Sequence, residues 1–232
     1  MDNSHLLTLK NLTVWYTKNK PVLKELSMKL GTNEIVGLIG LNGAGKTTLI
    51  KTLSGLLDSF RVEDTLWQEK PFMFRDRDFK KNRYVVFAEE HSFSFFTFRE
   101  YASYVAASYG KELSDVDELV QGFQFEEYTD VLLKELSTGN QKKAYLITAF
   151  ALKPQLLVLD EPVNGLDFQS TEYLYSRING YRQYGTVLFS SHILESICLT
   201  SDRVLVLEEG RIRKRFTGQE IETDKIREVL KE

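Results

Sequence analysis

Glycine, lysine and hydroxyl residues recur at a fixed spacing in Gly40-Leu41-Asn42-Gly43-Ala44-Gly45-Lys46-Thr47-Thr48, which fits the pattern G-x-x-x-x-G-K-[ST]. Such a loop suits a polyphosphate. Gly40, Gly43 and Gly45 let the backbone curl, so that successive N–H groups, including those of Asn42 and Ala44, face an anion at the start of a helix. Lys46 would bridge the β- and γ-phosphates of a nucleoside triphosphate. Thr47 would offer its hydroxyl to Mg²⁺, and Thr48 would donate to a phosphate oxygen from the next helical position. A second constellation closes Leu156-Leu157-Val158-Leu159-Asp160-Glu161, an apolar run ending in two carboxylates. Asp160 is placed to hold the Mg²⁺ shell, and Glu161, one residue further out, to polarise an attacking water.

These groups need elements to position them. Ile35-Val36-Gly37-Leu38-Ile39 reads as a buried strand, and Leu49, Ile50, Leu53 and Leu57 recur at helical spacing after the glycine loop. The acidic pair reaches the loop if its strand is central in a parallel sheet. A third stretch, Leu136-Ser137-Thr138-Gly139-Asn140-Gln141-Lys142-Lys143, begins 20 residues before Leu156 and leads into a helix through Phe150. Ser137 reads as its N-cap.

With this third stretch the chain resembles the ATP-binding subunit of ABC transporters, whose signature begins Leu-Ser-Gly-Gly-Gln. Thr138 replaces a glycine and Asn140 the glutamine. The resemblance continues in order along nearly the whole chain. Tyr16 matches the family's adenine-stacking aromatic; Trp15 is the competing stacker, since strand alternation lets only one face the nucleotide. Glu89 falls where the family has a glutamine that reaches the nucleotide and its metal, so by resemblance it joins Thr47 and Asp160 around Mg²⁺. Asn164-Gly165-Leu166-Asp167 resembles the family's D-loop, which puts Asp167 at the nucleotide interface. Ser190-Ser191-His192 resembles the switch-histidine loop, where an imidazole senses the γ-phosphate.

The fold this implies is α/β, a P-loop NTPase of ABC type. It has a mixed, largely parallel sheet core, an N-terminal antiparallel β subdomain and a helical subdomain at about residues 90–150, within one domain spanning residues 1–232. In the family, two subunits pack head to tail and each ATP lies between one subunit's phosphate loop and the other's signature helix. Here Ser137 and Gly139 would form that second anion site at a helix N-terminus. The implied partners are a second ATP-binding subunit, in a homodimer or heterodimer, and an integral membrane permease. Glu89 and the Ser-Thr-Gly-Asn signature resemble subunits paired with separately encoded exporter permeases. The competing class is an ABC-type ATPase of DNA repair, chromosome structure or translation. Chromosome-type members interrupt the ATPase with long coiled coils, whereas only 90 residues separate Lys46 from Leu136, without sustained heptads.

Composition agrees. Thirty basic against 33 acidic residues leave a formal charge of -3, without the electrostatic footprint of general nucleic-acid binding. The run Arg211-Ile212-Arg213-Lys214-Arg215 reads as a solvated strand edge. The single Cys198 excludes an internal disulfide and fits a reducing compartment. Met1 to Leu9 lacks a signal-peptide pattern, and no segment approaches 18 uninterrupted apolar residues, so the expected location is the cytoplasmic face of the membrane, held there by the permease. Leu26, Met28 and Leu30 alternate as in an antiparallel strand. Thr97-x-x-Glu100 and Ser114-x-x-Asp117 read as capping boxes, with Tyr101, Val105 and Ser108 on one helix face. Finally, Ser92-Phe93-Ser94-Phe95-Phe96-Thr97-Phe98 holds four phenylalanines, too many to bury on both sides of a short loop. Phe93 or Phe95 is therefore expected to anchor the permease.

Overall fold

The computed structural model describes residues 5–90 and 92–231; the residues before His5, which belong to the N-terminal reading above, lie outside it. β1 (His5–Thr17) and β2 (Lys20–Gly31) pair antiparallel, and β3 (Ile35–Ile39) runs through residues 40–45 into α1 (Lys46–Leu53). Three short strands, β4 (Phe60–Arg61), β5 (Asp64–Trp67) and β6 (Lys70–Pro71), extend the β1–β2 sheet, and α2 (Arg77–Asn82) leads to β7 (Arg83–Val86). Helices α3 (Phe98–Tyr109), α4 (Val116–Gly122) and α5 (Thr138–Leu152) come next. β8 (Leu156–Leu159), α6 (Phe168–Gly180), β9 (Thr186–Ser191) and α7 (Leu194–Thr200) follow. A hairpin of β10 (Arg203–Glu208) and β11 (Arg211–Thr217) precedes α8 (Thr223–Lys231).

The second sheet has the order β11-β10-β3-β9-β8-β7. All its neighbours are parallel except β11, which lies antiparallel at the edge. This is the expected mixed sheet, and the basic run does occupy its edge strand. Because β9 sits between β3 and β8, the loop that follows it opens between the glycine loop and the acidic pair. In parallel sheets the carboxyl ends of the strands line one rim, where ligands bind.

Strand alternation splits the core in two. Ile35, Ile39, Leu157 and Leu159 pack with the helices α3 to α8, whereas Val36, Leu38, Leu156 and Val158 pack with β1, β2 and α1. Both faces of β3 and β8 are thus buried, which explains their continuous apolar sequences. Phe98, Tyr101, Ala102, Val105 and Leu119 of the helical segment join the first of these clusters, so α3 to α5 share a core with the sheet.

Two local expectations change. Thr97 and Glu100 do form a reciprocal capping box on α3, but Ser108 is exposed, and the buried face of that helix is Phe98, Tyr101, Ala102 and Val105. Ser114 does not cap α4. Asp115 is the N-cap, in a left-handed conformation, while Ser114 gives its N–H and hydroxyl to the carbonyl of Ala151 at 3.2 and 3.4 Å. An end carbonyl of α5 lacks an intrahelical partner, and that demand outcompetes the local cap. Among the described residues, no helix is long and apolar enough to cross a membrane.

Candidate active site

Gly45 caps α1 with φ 111°, a backbone conformation that suits glycine, and so turns the chain from the loop into the helix. Lys46 follows, buried, with Nζ donating to the carbonyl of Gly40 at 2.7 Å and lying 3.6 Å from Glu161 Oε1. The ammonium is thereby aimed across the loop. Thr47 Oγ1 donates to Asp160 Oδ2 at 3.0 Å. Both oxygens fit one coordination sphere of a hard cation, which also keeps water and phosphate ligands, so the donor set suits Mg²⁺.

The acidic pair sits where β8 ends. Asp160 is fully buried and Glu161 nearly so, with Glu161 at φ 46°, a strained value for a residue bearing a side chain. Ser190 Oγ donates to Asp160 Oδ1 at 2.7 Å and accepts from the Glu161 N–H at 2.9 Å. One hydroxyl therefore orients both acids. His192 Nδ1 lies 2.7 Å from Glu161 Oε2, and the His192 N–H donates to that same oxygen at 3.3 Å. Glu161 is thus held by the histidine on one oxygen and faces the lysine with the other. Gly40, Leu41, Asn42, Glu161, Asn164 and His192 line a cleft of about 350 Å³ here.

Tyr16 stands at the side of the loop, half exposed, with its hydroxyl 3.4 Å from Thr48 Oγ1. Glu89 is exposed, and among the described residues no hydrogen bond joins it to Thr47 or Asp160. Its charge is felt by Lys142, a buried lysine of α5. The signature stretch begins α5, where Ser137 Oγ accepts from the Asn140 N–H at 3.2 Å and keeps its own hydroxyl proton for another acceptor. Gly139 packs against the Gly165 carbonyl. Asp167 caps α6 through the Ser170 N–H at 2.8 Å and pairs with Lys143 at 2.7 Å. The Lys143 hydrogen bond and then the Ser170 N–H hold the Asp167 carboxyl well below the usual range. Glycine loop, acids, histidine and Tyr16 converge on one rim, whereas Ser137 and Asp167 present a second surface.

The aromatic stretch divides. Phe93 is half-buried, with its ring centroid 5.2 Å from Tyr101 and 5.1 Å from Tyr104. It lines a groove of about 420 Å³ with Leu56, Lys80, Arg83, Tyr84 and Tyr104. Phe95 is 75% exposed and meets the Lys134 ammonium 4.4 Å from its ring centre.

Sequence reasoning used Ser190 only as context for His192 and gave no role to Lys142 or Lys143. A signal for Ser190 existed in the register, because Leu159 pairs with Phe189 and the next residues, Asp160 and Ser190, must meet. That register is invisible until the strand order is known.

The family described as ABC transporter matches residues 23–164, more than half of the chain. The putative ABC transporter ATP-binding protein AlbC of Bacillus subtilis (strain 168) is 35% identical, over 97% of this chain and 97% of its own length. The phosphate import ATP-binding protein PstB of Aeropyrum pernix is 30% identical over 88% of this chain and 87% of its own. Among solved structures, an ATP-binding subunit of an ABC transporter superposes with a TM-score of 0.82 at 27% identity, over 91% of this chain and 90% of that one.

Proposed function

The chain belongs to the ABC transporter family as an ATP-binding subunit with ATPase activity, and from that premise we propose that it drives export through a separate membrane permease. Two subunits, identical or related, would close head to tail on two ATP molecules at the cytoplasmic face of the membrane. The observation that carries the ATP-hydrolysing part of this reading is the linked set Thr47–Asp160–Ser190–Glu161–His192 beside Lys46. In this reading the loop N–H groups and Lys46 hold the β- and γ-phosphates. Thr47 and Asp160 hold Mg²⁺, which would supply charge neutralisation at the phosphates. Glu161, oriented by Ser190 and His192, takes a proton from the attacking water. Tyr16 flanks the base. Ser137 and Gly139 of the partner copy would meet the same γ-phosphate, so hydrolysis removes the charge that both helix ends share.

Export is favoured by Glu89 and the Ser-Thr-Gly-Asn signature, which resemble subunits paired with exporter permeases. In this reading the groove beside Phe93 receives a short cytoplasmic helix of the permease, because its lining joins aromatic rings such as Tyr84, Phe93 and Tyr104 to the basic Lys80 and Arg83 and lies next to the Glu89 loop. Glu161→Gln tests the mechanism. It should keep ATP binding, lower hydrolysis by at least ~10²-fold as for loss of a general base, and sediment as a dimer with ATP. Near-wild-type turnover would remove Glu161 from the role of base. Substrate accumulation in inverted membrane vesicles tests direction: ATP-driven uptake into them supports export, and its absence in favour of uptake by right-side-out vesicles overturns it.

A further inference from the structure

Lys142 is only 3% exposed, on the helix whose start carries Ser137 and Gly139. A buried ammonium is expensive, and burial pulls this one down to about 8, against the opposing pull of Asp160, Glu90, Glu161 and Glu89. Its position has a specific use. Nζ donates to the carbonyls of Phe87 at 2.6 Å and Ala88 at 2.7 Å, the first two residues beyond β7 and the two that lead into Glu89. Lys142 lies five residues, or about 7.5 Å of helix rise, from Ser137. One side chain thus ties the Glu89 loop of a subunit to the helix whose N-terminus serves the other subunit's nucleotide.

We infer that Lys142 is a positioning residue for ATP hydrolysis, clamping the Phe87–Glu90 segment to the signature helix so that movement of that helix end carries Glu89 with it. The inference rests on the head-to-tail reading of the signature helix given above. A lysine kept only for packing would behave differently. Replacing such a lysine with an apolar residue of similar length would change stability, through the lost bonds to Phe87 and Ala88, but leave the kinetics alone.

The test uses the purified full-length chain carrying Lys142→Met, Lys142→Arg, Glu89→Ala and the double substitution Lys142→Met/Glu89→Ala. Turnover is measured against ATP concentration, and binding with a fluorescent ATP analogue. Lys142→Met should lower kcat by at least ~10-fold, in the range that a small misplacement of a catalytic loop produces, while nucleotide affinity stays within ~3-fold. Lys142→Arg, which can still donate to both carbonyls, should recover most of the loss. Because Lys142 acts through the loop, the double variant should be no slower than the slower single one. The inference is overturned if Lys142→Met turns over within ~2-fold of wild type, if Glu89→Ala is neutral, or if the two losses multiply. Should Lys142→Met not fold, Lys142→Gln, which keeps one donor group, is read by the same criteria. A wild-type chain without ATPase activity would refute the functional reading itself, a result distinct from an active chain indifferent to Lys142.

Discussion

An alanine at Gly139 sets two effects against each other. Gly139 lies in the first turn of α5, and helix propensity favours alanine over glycine by about 1 kcal/mol. Tertiary packing forbids it: a methyl there would sit 2.2 Å from the carbonyl oxygen of Gly165, and Cβ atoms essentially never come within 3.0 Å, so about 0.8 Å of separation is required. The obstacle is backbone, and it cannot swing aside. Asn164 N–H donates to the Glu161 carbonyl and Leu166 N–H to that of Val163, both at 3.2 Å, and Asp167 caps α6. The displacement therefore passes to the segment that begins at Glu161. Overpacking of this kind costs typically 1–3 kcal/mol, so after the propensity gain the net loss is roughly 0–2 kcal/mol, and Tm falls by no more than about 8 °C. Catalysis suffers more. A misplacement approaching 1 Å costs up to ~10²-fold in rate, and Gly139→Ala is expected to lose about that much steady-state phosphate release. Binding of a fluorescent ATP analogue at the glycine loop of the same subunit should change by less than ~3-fold. Gly180→Ala, with no atom within 4 Å of its added methyl and at a helix end, serves as the control and should be neutral or slightly stabilising. Turnover of Gly139→Ala within ~3-fold of wild type would refute the contact's importance.

Tyr16→Ala should weaken ATP affinity by ~5–30-fold, the range for losing one aromatic stacking partner, whereas Tyr16→Phe should stay within ~3-fold because only a 3.4 Å hydroxyl contact is removed; equal losses in both, measured by analogue titration, would argue against stacking. Phe93→Ser with Phe95→Ser should abolish co-purification of the permease and uncouple transport while ATP binding persists, and Phe95→Ser alone should leave the Tm unchanged because that ring is exposed; transport unaffected in the double variant would refute docking there. The depressed pKa of Asp167 means that its charged form favours the folded state, so its contribution is complete above the usual carboxylate range near 4, begins to shrink as pH enters that range, and is gone only once pH has fallen through the lowered folded-state value. The Tm gap between wild type and Asp167→Asn should accordingly hold from pH 8 to 5 and narrow below about pH 4; a gap constant down to pH 3 would exclude the Lys143 and Ser170 contacts as its source.

Features that depend on near neighbours along the chain were legible in its residues alone. The turn from β3 through Gly45 into α1, the reciprocal cap of Thr97 and Glu100, and the alternation that pairs β1 with β2 all depend on residues a few positions apart, where backbone sterics and short-range hydrogen bonds decide. The acidic pair was legible for the same reason, as an apolar strand ending in carboxylates. Tertiary structure decided the rest. Placing β9 between β3 and β8 brings Ser190 onto Asp160 and Glu161, about 30 residues away, and His192 onto Glu161. The packing of α5 beside β7 sets Lys142 against Phe87 and Ala88, and Gly139 meets Gly165. The carbonyl of Ala151 likewise recruits Ser114 from a cap that its sequence alone would favour. Each of these depends on strand order, register and helix position, which arise when the two faces of one sheet bury their apolar residues together, and no window along the chain contains that information.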